Sequence, residues 1–284
     1  MQNASECNFS TSDNWVILSS IEQHIKAKIE AVGTPLKDWD IQINYGIKTG
    51  LNEAFIISEE KRKELISQDP KSDEIIRPIL RGRDIKRYGY EFANLYLINT
   101  HNGIKEKGVD PIDIDDYPAI KHWLDFGGIA YNGKIYEGYK QIEKRADQGD
   151  TPYNLRNCAY MEDFYKQKIA WNRIASEKLF SFVDEGIFIQ DSMHFFTGNH
   201  LKYLCATLNS KLFVWLMYLI VGDAAGGNAG NADNVKNLTI HMPSLEQKQQ
   251  IEKLFEMQQY GEIDKLIYEL YGLAEDEIQF IESQ

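Results

Sequence analysis

The sequence has 284 residues, 43% of them apolar and 26% charged, which is typical of a folded protein with one large domain or a domain plus an appendage. Its longest apolar run, residues 212–221, is about half the length of a membrane span, and residues 1–13 are too polar for a signal peptide. A net charge of −12 disfavours nucleic-acid binding at first sight, because phosphates are neutralised by Lys and Arg.

The three cysteines, Cys7, Cys158 and Cys205, stand far apart and form no CxxC pair. Such an odd, dispersed set fits neither a disulfide framework nor a zinc site. We therefore expect no metal, no membrane association and a cytoplasmic location.

The first hundred residues are predicted to contain two helices and three strands. Residues 1–12 form a flexible lead-in, and Asp13 is the predicted N-cap of a helix whose isoleucines recur every four residues. Ser58 is predicted to cap a second helix with two glutamates in its first turn. The predicted helices cover residues 15–31 and 58–67, and the predicted strands cover residues 41–47, 54–57 and 91–99.

The rest of the chain mixes loops with two strands and with apolar or acidic helices. The predicted loops are an acidic loop at residues 110–116, a surface excursion at 127–157 and a Gly/Ala/Asn loop at 222–234. The predicted strands cover residues 168–174 and 179–189, and the predicted helices cover 118–126, 199–221 and the tail from Ser244, with a break near Tyr260 and Gly261.

This order of elements predicts a mixed α/β (α+β) fold, with central strands flanked by an N-terminal helix and a C-terminal helical segment. We expect three regions. They are a lead-in and helix at residues 1–35, a main domain at 36–243, and an acidic helical segment at 244–284.

Charge is unevenly distributed along the chain. Residues 244–284 carry ten acids and three lysines, a net charge of −7, so the remaining residues carry only −5. Residues 77–87 (RPILRGRDIKR) hold five basic residues and one acid, a net charge of +4. A basic strip on an acidic protein is typical of a directed nucleic-acid contact, with the acidic tail facing away from the phosphates.

Two segments have the residue types of such a contact. In residues 43–57 (INYGIKTGLNEAFII), two glycines allow close backbone approach, and Lys48, Thr49 and Asn52 supply donors beside the turn. In residues 75–90 (IIRPILRGRDIKRYGY), Pro and Gly exclude a continuous helix, so the arginines are presented from a partly extended surface. Solvated turn residues and local pairing of arginine with aspartate are the alternatives.

The same segments resemble a known family. GIKTGLNEAFII followed by IIRPILRGRDIKRY is similar to the entry of the TaqI-like C-terminal specificity domain, the target-recognition domain of type IIG restriction-modification enzymes and related phage-defence adenine methyltransferases. The resemblance continues through KIAWNRI, LCATLNSKL and EIDKLIYELYGLAEDEIQFIE and spans residues 43–282.

The resemblance implies an α/β domain that contacts double-stranded DNA in the major groove, beside a methyltransferase domain of the same protein that flips and methylates adenine. The candidate DNA-binding residues come from the basic strip and from positions that the resemblance implies. They are Lys48, Thr49, Asn52, Arg77, Arg81, Arg83, Lys86, Arg87, Asn172 and Arg173.

No catalytic residue is predicted. An adenine methyltransferase needs a Gly-rich turn after its first strand to bind S-adenosylmethionine, and an Asn-Pro-Pro-Tyr/Phe loop for the flipped base. TPY at residues 151–153 lacks the Asn and the first Pro, and GDAAGGNAG at 222–230 follows a predicted helix instead of a strand. We therefore expect a specificity region without a cofactor, with S-adenosylmethionine bound by a catalytic domain absent from this sequence.

Two other functions stay open. A metal-dependent nuclease would need clustered carboxylates and a lysine, for which Glu59, Glu60 and Lys61 or the acids of residues 110–116 are the candidates, although a helix start and a solvated loop explain them more simply. A protein-interaction module could use the apolar face of the tail to dock another subunit or the catalytic domain. That face consists of Ile263, Leu266, Ile267, Leu270 and Tyr271.

Overall fold

The structure is a computed structural model that describes residues 18–127, 129–131, 134–136, 142–173, 179–221 and 231–284, and it has the mixed α+β fold that the sequence predicts. The helices are α1 (Ser20–Val32), α2 (Asn52–Phe55), α3 (Glu59–Gln68), α4 (Pro118–Phe126), α5 (Leu201–Leu208), α6 (Lys211–Val221), α7 (Ala232–Lys236), α8 (Leu245–Glu256), α9 (Tyr260–Leu270) and α10 (Glu275–Glu282). The strands are β1 (Gly33–Pro35), β2 (Ile41–Tyr45), β3 (Ile56–Ser58), β4 (Ile76–Leu80), β5 (Leu95–Ile98), β6 (Ile129–Tyr131), β7 (Lys134–Tyr136), β8 (Lys168–Asn172), β9 (Phe180–Val183), β10 (Phe188–Ile189), β11 (Met193–Gly198) and β12 (Thr239–His241).

Two four-stranded sheets form the centre of the fold. The first sheet has the order β10–β4–β5–β3, in which β4 pairs antiparallel with β5 and parallel with β10. The second sheet is antiparallel throughout and has the order β2–β11–β8–β9. The backbone links the two sheets, because Ile47 beyond β2 donates to the carbonyl of Ile189 in β10 at 2.6 Å.

The second sheet separates two hydrophobic cores. In β8, Ala170 faces the first core, between the two sheets, while Ile169 and Trp171 face the second core, under the helices. In β11, Phe195 and Phe196 alternate in the same way. Because neighbouring side chains of a strand point to opposite faces, the consecutive apolar residues at the centres of these two strands are buried on both sides of the sheet.

Helix α1 begins later than predicted. The Ser19 side chain accepts a hydrogen bond from Glu22 N, and the Glu22 carboxylate accepts one from Ser19 N at 2.7 Å, which is a capping box. The predicted helix start at Asp13 is therefore wrong, since Leu18 and Ser19 are not helical. Asp13 itself and the lead-in at residues 1–12 lie outside the described residues.

The helices over residues 58–67 and 118–126 are confirmed as α3 and α4, and Ser58 caps α3 by accepting from Lys61 N at 3.3 Å. The predicted strand at residues 54–57 is partly wrong, because Ala54 and Phe55 close helix α2 and only the next three residues form β3. A short apolar run fits a buried helix turn as well as a strand.

The apolar stretch predicted as one helix over residues 199–221 forms two helices. Asn209 and Ser210 interrupt it between α5 and α6, and both are fully buried. Within the described residues, no helix combines the length and the apolarity that crossing a bilayer requires. Residues 222–230 of the predicted Gly/Ala/Asn loop lie outside the described residues, and the last residues of that loop begin α7.

The predicted surface excursion at residues 127–157 lies only partly at the surface. Ile142 and Leu155 have no solvent exposure, and the guanidinium-bearing Arg145 is only 5% exposed. This segment therefore contributes to the first core, while residues 128, 132–133 and 137–141 lie outside the described residues.

The acidic tail forms α8, α9 and α10, with breaks at residues 257–259 and 271–274. Ile263, Ile267 and Tyr271 are buried in the second core, and Leu266 and Leu270 pack against it. Three of the five residues of the apolar face are thus buried inside this chain, while the hypothesis that the tail docks another subunit or domain stays a prediction.

Candidate nucleic-acid interface

A polar cleft of about 760 Å³ opens between the two four-stranded sheets. Side chains of α2, β3 and β5 and the turn after β4 line one part of it, and the ends of β8 and β10 line the other. Five of the predicted DNA-binding residues meet here although they are far apart in sequence. They are Asn52, Arg81, Arg83, Asn172 and Arg173.

The turn after β4 is fixed by an internal ion pair. The Arg81 guanidinium donates to both carboxylate oxygens of Asp84, from Nε at 3.0 Å and from Nη2 at 2.9 Å. The same carboxylate accepts from Arg81 N at 2.8 Å. Asp84 is only 5% exposed, so this bidentate pair is shielded from water and closes the 3₁₀ turn Gly82–Asp84.

Asn172, the last residue of β8, attaches this turn to the second sheet. Its Nδ2 donates to the carbonyl of Gly82 at 2.9 Å. A side chain at position 82 would collide with Oδ1 of Asn172, so glycine is needed for this close approach. One wall of the cleft therefore depends on the contact between Asn172 and the turn that carries Arg83.

Arg83 and Arg173 are the exposed cations of the cleft. Neither guanidinium forms an ion pair with any residue in the described part of the chain. The alternative that Arg83 pairs with Asp84 does not hold, because Arg81 occupies that carboxylate. Two guanidinium groups are thus available to a ligand from opposite walls.

The turn beyond β2 forms the rim of the cleft. Gly46 packs directly against the backbone of Gln190, so its close approach is to this chain and not to a ligand phosphate. Thr49 is buried and donates from Oγ1 to Asn52 Oδ1 at 2.7 Å. Lys48 is half-exposed and pairs with Asp147 at 3.1 Å.

Arg145 holds this rim in place from below. Its guanidinium donates to the carbonyls of Thr49 at 2.5 Å, Asp147 at 2.8 Å and Pro152 at 3.0 Å, and also to that of Asn154. Burial lowers the pKa of Arg145 to about 10, and the guanidinium also lies over the ring of Phe55 at 4.4 Å. This role of Arg145 was not predicted, since the residue stands in a weakly patterned segment.

Apart from Lys48 and Thr49 at the rim, three further predicted DNA-binding residues lie away from the cleft. Arg77 donates to backbone carbonyls, including those of Asp73 at 3.1 Å and Ile76 at 2.8 Å. Arg87 donates from Nε to the carbonyl of Asn209 at 3.1 Å and therefore faces the helical side of the molecule. Lys86 is exposed and pairs with Glu91 at 3.3 Å. Of the basic strip, Arg81 and Arg83 thus line the cleft, whereas Arg77, Lys86 and Arg87 do not. The DNA-binding assignment of each residue stays a prediction.

Glu53, Gln190 and Ser192 also line the cleft, and the sequence did not single them out. Glu53 stands in the first turn of α2, next to the predicted Asn52. Gln190 and Ser192 lie between β10 and β11, where nothing in the local pattern marks a site. Only the pairing of the sheets brings these residues together.

A nuclease site has no support in the geometry. Among the described residues, no group of three or more His, Cys, Asp or Glu side chains is arranged to hold a metal ion. Glu59 and Glu60 stand in the first turn of α3, where their charges favour the helix N-terminus, as the simpler explanation requires.

A rigid mixed scaffold with a cationic cleft between two sheets defines a binding domain for a polar ligand. Residues 77–224 match the TaqI-like C-terminal specificity domain. Because this match covers more than half of the sequence, the chain belongs to that family of specificity domains.

Solved structures share this fold. The type IIL restriction-modification enzyme MmeI, determined in complex with DNA, matches with a TM-score of 0.54 and 13% identity over 88% of this chain. The type IIG restriction endonuclease BpuSI matches with a TM-score of 0.50 and 14% identity over 89%. The chain spans only 37% and 33% of those two chains, respectively. Among curated proteins, no sequence matches this one.

Proposed function

We propose that this chain recognises a DNA target sequence as the specificity region of a type IIG-like restriction-modification system whose methyltransferase modifies adenine. The observation that carries the proposal is the cleft in which Arg83 and Arg173 present guanidinium groups that form no ion pair with the residues that the structure describes. Guanidinium groups bind DNA phosphates and guanine edges with paired hydrogen bonds. Double-stranded DNA is the partner that fits a cationic cleft on a specificity domain.

The proposal assigns catalysis to another domain of the same protein. The sequence has no Asn-Pro-Pro-Tyr/Phe motif, and the chain spans about a third of the two restriction-modification enzymes that share its fold. S-adenosylmethionine would be bound by that methyltransferase domain, and this chain would supply only DNA contacts. The partners are therefore duplex DNA and the methyltransferase domain.

The distribution of charge supports DNA binding at the cleft. No residue of the acidic segment 244–284 lines it, although that segment carries a net charge of −7. Negative charge on the helical side should reduce the affinity for DNA at the cleft only slightly, because exposed charges more than about 10 Å apart are screened at 0.1 M salt.

The test is binding of fluorescent duplex DNA by the chain and by the double variant Arg83→Gln/Arg173→Gln. We expect wild-type binding to weaken steeply with salt, and the double variant to bind at least about tenfold more weakly at constant salt. The control Lys37→Gln/Lys253→Gln removes two exposed positive charges outside the cleft and should retain most of the affinity. Equal losses in both double variants would mean that net charge, and not the cleft, determines binding.

A further inference from the structure

The cleft contains a carboxylate that a pure phosphate-binding surface would exclude. Glu53 is exposed at the cleft wall, and it forms no ion pair with any residue of the described ranges. Arg83 and Arg173 line the same cleft and are likewise without an ion pair there. One carboxylate and two guanidinium groups therefore line one cleft of about 760 Å³ and form no ion pair with one another.

This combination of charges favours contact with base edges over contact with phosphates. A carboxylate beside the arginines repels phosphates and lowers non-specific affinity. The edge of a G·C pair in the major groove offers two acceptors on guanine, O6 and N7, and one amino donor on cytosine, N4. Guanidinium groups match the guanine acceptors, and a carboxylate matches the cytosine amino group.

We infer that Glu53 is a specificity-determining residue that accepts a hydrogen bond from a cytosine amino group, while Arg83 or Arg173 donates to the guanine of the same or a neighbouring pair. The inference rests on the proposed function and deepens it. The target of this domain then contains at least one G·C pair recognised by direct contact, and the half-exposed Lys48 and the exposed Lys86, outside the cleft centre, are left for phosphates.

Hydrogen bonds or buried neighbours anchor the backbone beside each of these three side chains, and for Arg173 the anchor is its backbone N, which donates to the carbonyl of Ser192 at 3.1 Å. Glu53 follows Asn52, whose amide oxygen accepts from the buried Thr49, and it precedes Ala54 and Phe55, which have no solvent exposure. Arg83 stands in the turn closed by the bidentate Arg81–Asp84 pair. Recognition of base edges needs such fixed backbones, because a displaced donor or acceptor loses its hydrogen bond.

The experiment selects bound duplexes from a pool with a randomised central stretch, using the wild-type chain and the variants Glu53→Ala, Arg83→Gln and Arg173→Gln. Affinities are then measured for the selected duplex and for copies in which each G·C pair is replaced by A·T. Glu53→Ala should lose about tenfold or more of the discrimination at one G·C pair. Its affinity for unselected DNA should stay equal or rise, because a negative charge is removed. Glu106→Ala removes the same charge from an exposed turn outside the cleft and should leave the selected sequence unchanged.

Loss of discrimination at the same pair in Glu53→Ala and in one arginine variant would support the inference. If the wild type selects a sequence and Glu53→Ala selects the same one with uniformly tighter binding, Glu53 is only a nearby charge and the inference is overturned. If the wild type binds no duplex at all, the proposed function falls together with the inference, so the two failures are distinguishable.

Discussion

At the scale of single residues, the arginines of the cleft divide into one that holds the structure and two that face a ligand. The Arg81 guanidinium forms an ion pair with the buried Asp84, whereas Arg83 and Arg173 have no ion pair in the described part of the chain. A buried carboxylate is costly to leave unpaired, so the ion pair with Asp84 keeps the Arg81 guanidinium from contacting DNA.

Asp84→Asn tests this division. Removing one negative charge beside the cleft should strengthen DNA binding if only net charge mattered, but we expect severalfold weaker binding because the turn that carries Arg83 loses its bidentate pair. The unfolding free energy should fall by about 2–3 kcal/mol. Glu91→Gln, which removes an exposed carboxylate near the same segment, should bind DNA at least as tightly as the wild type. Tighter binding by Asp84→Asn would show that the turn does not position Arg83.

His194 predicts an acid limb in the stability of the chain. It is 1% exposed, its ring lies 4.7 Å from that of Tyr45 and 5.4 Å from that of Trp171, and neither ring nitrogen has a hydrogen-bond partner in the described structure. Burial, reinforced by the positive charge of Arg173, lowers the pKa of His194 to about 4.

The unfolded chain therefore takes up a proton on this ring between about pH 6.5 and pH 4, while the folded chain does not. This contribution to stability is fully present above about pH 6.5 and is lost as the pH falls towards 4, at most about 3 kcal/mol. Urea unfolding of the wild type and of His194→Phe between pH 7.5 and 4.5 checks it. The variant should show a flatter acid limb, and parallel curves would refute the assignment to His194.

The sequence predicted five residues that line the cleft, but it did not show which neighbouring residues lie outside it. Arg81 and Arg83 were predicted because basic residues cluster in an irregular segment, whereas Asn172 and Arg173 were predicted only through the family resemblance. Arg87 was assigned to the same surface because it is near in sequence, yet its guanidinium turns to the carbonyl of Asn209. Backbone carbonyls compete for guanidinium groups, and a sequence does not show where they lie.

At the scale of elements, Asn209 explains why one apolar stretch becomes two helices. Its Nδ2 donates to the carbonyls of Phe180 at 2.7 Å and Cys205 at 2.8 Å, and its Oδ1 accepts from Phe180 N at 3.1 Å. The side chain thus pairs with the backbone of β9 as another strand would. Its own carbonyl accepts from Arg87 and Tyr88, so the break also holds the end of the basic strip.

Asn209→Asp separates these roles, since the carboxylate keeps the acceptor for Phe180 N but loses both donated hydrogen bonds and buries a charge. We expect a loss of about 3 kcal/mol or more in the unfolding free energy from urea titration. The exposed Asn237→Asp, at the end of α7, should change it by less than about 0.5 kcal/mol. A mild effect at position 209 would mean that the buried contact with β9 is dispensable.

Element types were predictable where a local signal marks the boundary. Pro118 at the first position of α4 and Ser58 before α3 are such signals, and both helices are confirmed. The break at Asn209 was missed, because the stretch around it is buried on all sides and apolar without periodicity. The break between β9 and β10 was missed although Asp184 and Glu185 are exposed there, because the apolar residues on either side fit a single strand. The chain turns there within residues 184–187, where Gly186 has a φ of 75°.

At the scale of the whole molecule, the acidic tail belongs to the fold. Ile251 of α8, Ile263 and Ile267 of α9 and Ile281 of α10 are buried in the second core with Trp215 of α6. The division into regions at residues 35 and 243 stays a prediction, but the second core takes side chains from both sides of each boundary. The segment with a net charge of −7 is therefore also the helical layer that covers the second core.

This arrangement predicts opposite results for two ways of removing the negative charge. A chain truncated after residue 243 should fail to fold, because it exposes the apolar surface that the buried isoleucines of the tail cover, and circular dichroism with urea titration should show no cooperative transition. The triple variant Glu269→Gln/Glu275→Gln/Asp276→Asn changes only exposed side chains and should still unfold cooperatively, with a loss of at most about 1–2 kcal/mol because Glu275 and Asp276 stand in the first turn of α10. Its DNA affinity should rise by no more than about threefold at 0.15 M salt, because charges on the helical side are screened from the cleft. A folded truncated chain would mean that the tail is dispensable for the fold, and a much larger gain in the triple variant would mean that the charge of the tail reaches the DNA-binding surface.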